Sequence, residues 1–185
     1  MVQEAARFGS VGEFSAWLSA NHATAAEVWV ALPKKGTAVA SVTRAEALDV
    51  ALCFGWIDGK TISSTMPEGW WAQRFTPRRP RSTWSKVNRV KVAELIAAGR
   101  MHAAGLAEIE AAKADGRWDA AYDSPRTAEV PADLRAALAA VPAAAAAFAA
   151  LNGSERYLIL LTLQKLKRAE TRERRIARYV GELSS

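Results

Sequence analysis

The architecture of this 185-residue chain follows from residues 51–101, ALCFGWIDGKTISSTMPEGWWAQRFTPRRPRSTWSKVNRVKVAELIAAGRM. The stretch holds four of the seven tryptophans, and seven cations without a carboxylate lie between Gly69 and Ala93. Aromatic rings interleaved with cations are typical of a surface that binds anions. We therefore expect the binding surface of the protein to lie in this stretch.

Two β-prone runs within the stretch predict a pair of antiparallel strands. They are residues 56–64 and 70–76, and the proline and glycine of residues 66–69 favour a turn between them. A third run, residues 27–32, has the aromatic and β-branched residues of a strand and ends at Pro33, whose missing N–H terminates a ladder. The sequence predicts a small antiparallel sheet, with this run as its candidate third strand.

Helix-start signals flank the predicted sheet. Ser10 and Thr43 are each followed three residues later by a glutamate, which matches a capping box, where a hydroxyl and a carboxylate bond backbone N–H groups. Ser82 or Ser85 can cap another helix that continues to residue 98. The sheet is therefore expected to be flanked by helices.

The chain beyond residue 100 is predicted to be almost wholly helical. The expected helices cover residues 106–115, 131–140, 142–151 and 154–185, the last as one continuous helix. Residues 118–130 contain Pro125 and show little periodicity, which indicates a linker or a packed loop. We therefore predict an α+β fold, with a small antiparallel sheet and flanking helices in the N-terminal half and a helical C-terminal module. The predicted domain ranges are 1–117, 118–130 and 131–185.

Composition places the chain among globular proteins with a basic balance. Half of the residues are apolar and 24% are charged, and 25 Lys and Arg against 19 Asp and Glu give a net charge of +6. A basic balance favours an anionic partner such as nucleic acid, a phosphorylated ligand or a membrane surface. It does not choose among the three.

Cysteine usage and hydropathy indicate a cytoplasmic protein. Cys53 is the single cysteine, so no intrachain disulfide and no cysteine-based zinc cluster can form. The N-terminus lacks an apolar core of signal-peptide length, and the longest apolar runs are shorter than the roughly 20 residues of a membrane-spanning helix. We expect neither an export signal nor stable insertion into a membrane.

Four cations of the predicted last helix recur at steps of three and four residues, which places them on one stripe. They are Lys165, Arg168, Arg172 and Arg175. The default expectation for such a stripe is a solvated face with local carboxylate pairs. A basic amphipathic helix can also lie on an anionic membrane, but the charge here is separated too poorly to favour that.

Several short motifs form a specific combination along the chain. They are residues 51–59 (ALCFGWIDG), residues 74–79 (RFTPRR) with Ser82, Trp84, Ser85 and Asn88, residues 99–101 (GRM) with Gly105, and residues 115–118 (DGRW), 170–172 (ETR) and 175–176 (RI). Together they resemble the YdeI/OmpD-associated, or bacteriocin-protection, family over nearly the whole chain. The sequence departs from the family pattern at Leu166, usually an alanine, and at Thr162, often an aromatic residue.

The resemblance implies a narrow set of functional expectations. The family is named for association with an outer-membrane porin and for protection against bacteriocins or cationic peptides. It therefore implies a stress or antimicrobial-peptide-resistance context, and it implies no enzyme class.

The first candidate site is a cluster of cations interleaved with aromatic residues. It comprises Arg74, Arg78, Arg79, Arg81, Lys86, Arg89 and Lys91, together with Trp70, Trp71, Phe75 and Trp84. Guanidinium groups pair bidentately with phosphate and flat rings stack on bases or sugars, so the cluster indicates a surface for an anion or polyanion. The alternative is that the tryptophans form the core and the arginines form a solvated rim.

Asp58, in the turn Trp56-Ile57-Asp58-Gly59, is the second candidate. A carboxylate near arginines can act as a general base or orient a cationic group, so Asp58 is the expected catalytic residue if the protein is an enzyme. The structural alternative is that Asp58 pairs with an arginine such as Arg74 or Arg79 and locks the hairpin to the following helix.

The third candidate is the predicted helix start at Ser82, Ser85 and Asn88, where free N–H groups and the helix dipole favour an anion. Plain capping is the alternative. The histidines, His22 and His102, are too far away in sequence to indicate a serine nucleophile. Two histidines and one cysteine show no metal-ligand spacing, so we predict no metal and no cofactor.

The favoured function is non-enzymatic binding of an anionic ligand or partner. The predicted ligand-binding residues are Trp56, Asp58, Arg74, Arg78, Arg79, Ser82, Trp84, Ser85, Asn88 and Arg89. One alternative is an enzyme acting on a small phosphorylated or carboxylate substrate, with Asp58 as acid or base and arginines holding the anion. Another is an adaptor that binds other proteins through its C-terminal helices.

Overall fold

A computed structural model describes residues 4–184, which form eight helices and three strands. These residues divide into two compact units. The first unit contains residues 4–83 and 88–120, and the second contains residues 84–87 and 121–184. The predicted α+β class is confirmed. The predicted domain ranges stay a prediction.

The sheet of the first unit is antiparallel, as predicted. Its strands are β1 (Val28–Pro33), β2 (Trp56–Ile62) and β3 (Trp70–Pro77). Their order is β1-β3-β2, so β3 is the central strand and the candidate third strand is confirmed as β1. Trp29 of β1 lies opposite Arg74, and Asp58 of β2 lies opposite Phe75.

A β-bulge interrupts β2, where its register against β3 shifts between Asp58 and Thr61. The buried Gln73 side chain fills the gap, since its Nε2 donates to the carbonyls of Gly59 at 2.8 Å and Lys60 at 3.3 Å. A bulge leaves backbone groups without ladder partners, and each hydrogen bond made to such a group contributes about 0.5–1.5 kcal/mol. Gln73 therefore replaces the missing ladder bonds.

The helices of the first unit are α1 (Val11–Asn21), α2 (Arg44–Cys53), α3 (Lys86–Ala97) and α4 (Ala103–Ala114); the first two residues of α3 belong to the second unit. Thr43 and Glu46 form the predicted reciprocal capping box of α2. At α1 the Ser10 hydroxyl accepts the N–H of Glu13, as predicted, but the Glu13 carboxylate accepts the N–H of Gly9 instead. Both sequence signals therefore mark true helix starts.

Aromatic side chains fill the core between α1 and one face of the sheet. Phe14 of α1 packs against Phe75 of β3 with ring centroids 5.6 Å apart. Trp17 of α1 meets Trp56 of β2 edge to face at 6.1 Å. The Trp56 Nε1 also donates to the carbonyl of His22, which satisfies the polar end of a buried ring.

The backbone at the start of α4 is in direct contact with the backbone at the end of α2. A Cβ atom added at Gly105 would lie 2.3 Å from the carbonyl oxygen of Cys53, a distance at which one backbone would have to move. The same carbonyl accepts the N–H of His102 at 3.1 Å. Glycine at residue 105 therefore permits a backbone approach that any side chain would prevent.

The helices of the second unit are α5 (Ala132–Ala139), α6 (Pro142–Ala150), α7 (Gly153–Lys165) and α8 (Ala169–Ser184). Their shared core consists of Leu134, Leu138, Ala144, Phe148, Leu160, Leu163 and Ile176. Each helix contributes at least one buried residue to this core. The helical C-terminal module predicted from the sequence is therefore present.

The start of the 121–130 segment is a packed loop and not a free linker. Tyr122 forms a parallel bridge with Ser85. Asp123 and Gln164 exchange two hydrogen bonds, from the Asp123 N–H to Oε1 at 3.1 Å and from Gln164 Nε2 to Oδ2 at 2.8 Å. The Tyr157 hydroxyl donates to the carbonyl of Asp123 at 2.8 Å. These bonds fasten the loop to α7.

The prediction of one continuous last helix is wrong, because residues 166–168 separate α7 from α8. Leu166 leaves the helical region, with φ −84° and ψ 113°. The Arg172 guanidinium donates to the carbonyl of Leu163 near the end of α7 and to both carboxylate oxygens of Asp133. No glycine or proline marks this break, which is why the sequence pattern does not reveal it.

The predicted cationic stripe is wrong for the same reason. Lys165 ends α7, with its ammonium 5.3 Å from the centroid of the Tyr122 ring, and Arg168 lies in the break. Arg172 and Arg175 share α8, but Arg172 is bonded to other helices rather than solvated.

Within residues 4–184, no helix combines the length and the apolarity that crossing a membrane requires.

Candidate anion-binding site

An open cavity of about 420 Å³ lies at the end of β3 in the first unit. We call it the basic cavity, and its lining residues are Ile57, Arg74, Thr76, Pro77, Arg79, Arg81 and Ser82. It brings together three predicted ligand-binding residues, Arg74, Arg79 and Ser82. Arg81, another member of the predicted cation cluster, is the third arginine of the lining.

Strand alternation and the turn after β3 build the basic cavity. Arg74 and Thr76 are two residues apart on β3, so their side chains share one face of the sheet. The chain then reverses in a turn, in which the N–H of Ser82 donates to the carbonyl of Arg79 at 2.8 Å. This reversal places Arg79 and Arg81 in the same lining as Arg74.

Arg79 and Arg81 supply the uncompensated positive charge of the basic cavity. Both residues are exposed, and within residues 4–184 neither guanidinium is paired with a carboxylate. A guanidinium offers five N–H donors in a planar fork that matches phosphate and carboxylate oxygens. Two such groups in one cavity suit an anionic guest.

Arg74 is already paired within the first unit. Its Nε donates to Oε2 of Glu27 at 2.7 Å, and its Nη2 contacts the same oxygen. The Trp29 Nε1 donates to the other Glu27 oxygen at 3.1 Å. The hydrogen bond from Arg74 holds the pKa of Glu27 below its ordinary value, so this carboxylate is ionised at neutral pH.

Arg78 is a structural residue of the turn and is only 6% exposed. Its Nη1 lies 3.3 Å from both the Ser82 hydroxyl and the Thr83 carbonyl, to which it donates. These bonds hold the turn that carries Arg79 and Arg81. Arg78 therefore acts on the cavity indirectly, although it was predicted to bind the ligand.

Asp58 lies outside the cavity lining and pairs with Arg44, Oδ2 to Nη2, at 2.8 Å. The structural alternative, that Asp58 pairs with an arginine, is thus correct, but the partner is neither of the two arginines given as examples, Arg74 and Arg79. Asp58 is opposite Phe75, so strand alternation directs its carboxylate away from the face that bears Arg74. The pair does tie the hairpin to a helix, but to α2, which precedes it, rather than to the following helix.

The remaining predicted ligand residues are buried or bonded elsewhere. Arg89 donates to the carbonyl of Trp118 at 2.9 Å and lies 5.0 Å from the centroid of its ring. The buried residues are Trp56 (1% exposed), Trp84 (2%), Ser85 (9%) and Asn88 (9%). Trp84, which belongs to the predicted cation–aromatic cluster, is therefore a core residue, which agrees with the alternative interpretation of its tryptophans.

Sequence reasoning missed Glu27, which fixes Arg74. Its signal is weak: Glu27 and Trp29 are two residues apart, so both project from the same face of an extended segment. Placing Arg74 beside them requires the β1–β3 register, which the sequence alone does not supply.

Among the described residues, no three His, Cys, Asp or Glu side chains are grouped so that they could hold a metal ion.

Sequence comparison matches the two halves of the chain to different families. Residues 6–108, more than half of the chain, match the family described as a domain of unknown function (DUF8412). Residues 127–185 match the family described as bacteriocin-protection, YdeI or OmpD-associated. No curated protein and no solved structure matches the chain. The chain therefore belongs to the DUF8412 family, and its residues 127–185 match the YdeI or OmpD-associated, bacteriocin-protection family that the sequence resemblance indicated.

Proposed function

We propose that the protein binds a small molecule carrying a phosphate or carboxylate group in the basic cavity and does not transform it. The observation that carries this proposal is the pair of guanidinium groups of Arg79 and Arg81, which line one cavity without a carboxylate partner in the described part of the chain. The oxygens of a single anionic group bound there could pair with both guanidinium groups.

The dimensions of the basic cavity support a small guest. Its volume of about 420 Å³ lies within the range of roughly 300–1,000 Å³ typical of small-molecule pockets. Ile57 and Pro77 add apolar wall beside the cations, so an organic portion of the ligand has a surface to cover. A polyanion would instead follow a continuous basic groove.

The chemistry of the lining supports binding over catalysis. Its polar side chains are three arginines and the hydroxyls of Thr76 and Ser82, and the lining contains no Asp, Glu, His or Cys to act as general acid or base. Asp58, the acid of the enzymatic alternative, is engaged with Arg44. Glu27 is held ionised and already accepts hydrogen bonds from two side chains.

The biological setting is part of the same proposal. The C-terminal family is described by bacteriocin protection, which supports a role in stress or in resistance to antimicrobial peptides. The single buried cysteine, Cys53, suits a reducing compartment, and we propose a cytoplasmic location. The adaptor alternative stays a prediction: Leu158 of α7 is 62% exposed, but single exposed leucines are common on monomeric proteins.

Calorimetric titration with inorganic pyrophosphate, supported by thermal-shift measurements, tests the proposal. Pyrophosphate should bind the wild-type protein and raise its melting temperature, because a ligand of the folded state stabilises it by mass action. The double variant R79A/R81A should lose at least about tenfold in affinity, which corresponds to about 1.4 kcal/mol.

The matched control is K34A/K35A, which also removes two positive charges, but from an exposed turn of the same unit that is not part of the cavity. Its affinity for pyrophosphate should stay within about twofold of the wild type, since the distant charges are screened by salt. Equal losses in both double variants would show that pyrophosphate responds to net charge alone and would contradict a site. A short oligonucleotide that binds more tightly than pyrophosphate, with a steep salt dependence, would favour a polyanion instead.

A further inference from the structure

We propose that Glu27 is a positioning residue of the basic cavity, which holds the Arg74 guanidinium so that its free edge faces the anion. This inference rests on the proposed function and deepens it. A carboxylate beside an anion site repels the ligand, so a role for Glu27 in binding must come from the orientation that it imposes.

The antiparallel register places the three participating residues together. Trp29 lies directly opposite Arg74, and Glu27 precedes Trp29 by two residues on the same face. Both Glu27 oxygens are used: Oε1 accepts the Trp29 Nε1–H at 3.1 Å, and Oε2 accepts the Arg74 Nε–H at 2.7 Å. The carboxylate is therefore held by Trp29 of β1 through one oxygen and binds the Arg74 guanidinium through the other.

The bonds to Glu27 occupy one edge of the Arg74 guanidinium. Nε and Nη2 both contact Oε2, whereas Nη1 has no hydrogen-bond partner within residues 4–184. Because the guanidinium is planar and rigid, fixing one edge also fixes the direction of the other. Arg74 lines the basic cavity and its side chain is 30% exposed, so the free edge can reach a guest.

Because Glu27 already holds Arg74 in the unliganded protein, less side-chain conformational entropy is lost when the ligand binds. An arginine side chain has many rotamers, and immobilising it on binding opposes association. Glu27 is kept ionised by Arg74, which lowers its pKa, so the hold persists at neutral pH. Electrostatic repulsion and preorganisation therefore predict opposite effects when Glu27 is removed, and this difference makes the inference testable.

The test is calorimetric titration of pyrophosphate into wild type and Glu27→Ala. A positioning role predicts that Glu27→Ala weakens binding about tenfold although the variant gains positive charge. The matched control is Glu68→Ala, which removes a carboxylate from the exposed turn of the same unit, and its affinity should stay within about twofold of the wild type. Glu27→Gln keeps an acceptor oxygen and should show a smaller loss than Glu27→Ala.

A double-mutant cycle separates positioning from a general effect on the fold. In an Arg74→Ala background, removing Glu27 should cause no further loss, because the residue that it orients is absent. A second route to the same readout is Trp29→Phe, which removes the Nε1–H bond to Glu27 and keeps an aromatic ring; a loss of about threefold is expected. Trp29→Phe is the informative variant if Glu27→Ala fails to fold.

The outcomes distinguish this inference from the function on which it rests. If Glu27→Ala and Trp29→Phe bind pyrophosphate as tightly as the wild type, or more tightly, Glu27 does not position Arg74, while the anion site stands. If Glu27→Ala weakens binding equally with and without Arg74, the inference is also overturned. If the wild-type protein binds no pyrophosphate, both the inference and the proposed function fall.

Discussion

Asp58 ties β2 to the first turn of α2 through Arg44, at a distance of 2.8 Å. The Arg44 side chain is 57% exposed, so water screens this ion pair, and pairs of this kind contribute about 0.2–1 kcal/mol. The carboxylate therefore has a modest structural role, and no substrate-facing role is needed to explain it.

Replacing Asp58 by asparagine is expected to lower the unfolding free energy by about 0.5 kcal/mol, because it removes one screened ion pair. Pyrophosphate affinity should stay within about twofold of the wild type, since Asp58 is outside the basic cavity. Urea denaturation and calorimetry measure the two quantities. An intact fold with abolished pyrophosphate binding would return Asp58 to the site and revive the enzymatic alternative.

Cys53 offers a second expectation about a single side chain. It is 4% exposed, and burial raises the pKa of its thiol, so the reactive thiolate is scarce at neutral pH. Native protein at pH 7.5 is expected to react with a thiol-specific chromogenic disulfide at least about 100-fold more slowly than free cysteine. Unfolding in urea should restore the full rate, whereas rapid labelling of the native protein would contradict the burial.

Individual site residues could be predicted by type but not by role. Arg78 and Arg79 are neighbours with the same chemistry, yet Arg78 is buried in the turn and Arg79 lines the cavity. Sequence identifies both as cations, while burial depends on how residues 78–83 fold back on themselves. Asp58 and Glu27 likewise differ in partner because opposite faces of the sheet separate them.

Helix starts were accessible from sequence because their chemistry is local. Thr43 and Glu46 are three residues apart, and their reciprocal bonds need no other part of the chain. The end of α7 is a different case. It depends on Arg172, which reaches Leu163 and also Asp133, 39 residues earlier in the sequence, and no window of local sequence contains that information.

Arg172 connects the start of α5, the end of α7 and its own helix α8, so its removal should destabilise the second unit. Hydrogen bonds to charged groups contribute about 1.5–3 kcal/mol, and partial exposure of Asp133 reduces this, so Arg172→Ala is expected to cost about 1.5 kcal/mol. Urea denaturation measures it. Arg174→Ala is the control, because its pair with Glu170 is exposed on both sides and should contribute little.

The cost of Arg172→Ala should depend on pH. The hydrogen bond from Arg172 lowers the folded-state pKa of Asp133 below the ordinary 3.8, so the stabilisation is complete above that value and is lost as pH falls through the folded pKa. The stability difference between wild type and Arg172→Ala should be constant near neutral pH and should shrink below about pH 4. A difference that grows on acidification would contradict this assignment.

At the scale of the whole chain, the second unit is discontinuous in sequence. Residues 84–87 come from between β3 and the body of α3, yet they belong with residues 121–184. Tyr122 donates its N–H to the carbonyl of Trp84 at 3.0 Å and accepts the N–H of Lys86 at 2.9 Å. Besides residues 84–87, this unit also contains residues 121–130, which lie before α5.

A polypeptide of residues 118–185 is therefore expected to keep its helical core and lose the order of its first residues. The Tyr122 amide should exchange with solvent at least about tenfold faster than in the full chain, because its acceptor at Trp84 is absent. The Leu163 amide, in the core helix α7, should stay protected. Hydrogen exchange followed by NMR measures both, and an unchanged Tyr122 rate would show that the 84–87 segment is dispensable.

The fold class could be predicted from the sequence because it depends on composition and on hydrophobic periodicity, which can be read along the whole chain. Alternating β-prone runs around a proline–glycine turn predict the hairpin, and alanine-rich runs predict the helices. The sequence does not predict that residues 84–87 belong to the second unit. That assignment depends on a backbone bridge between Ser85 and Tyr122, and neither side chain indicates such a bridge.

This interleaving sets an order of events during synthesis on the ribosome. When residues 84–87 are synthesised, the residues that they pair with have not yet been translated, and α4 of the first unit must be made before residue 121. Nascent domains tend to fold from the N-terminus as complete units, but here neither unit is complete when the other begins. Residues 84–87 therefore lack their backbone partner at Tyr122 through the translation of more than thirty residues.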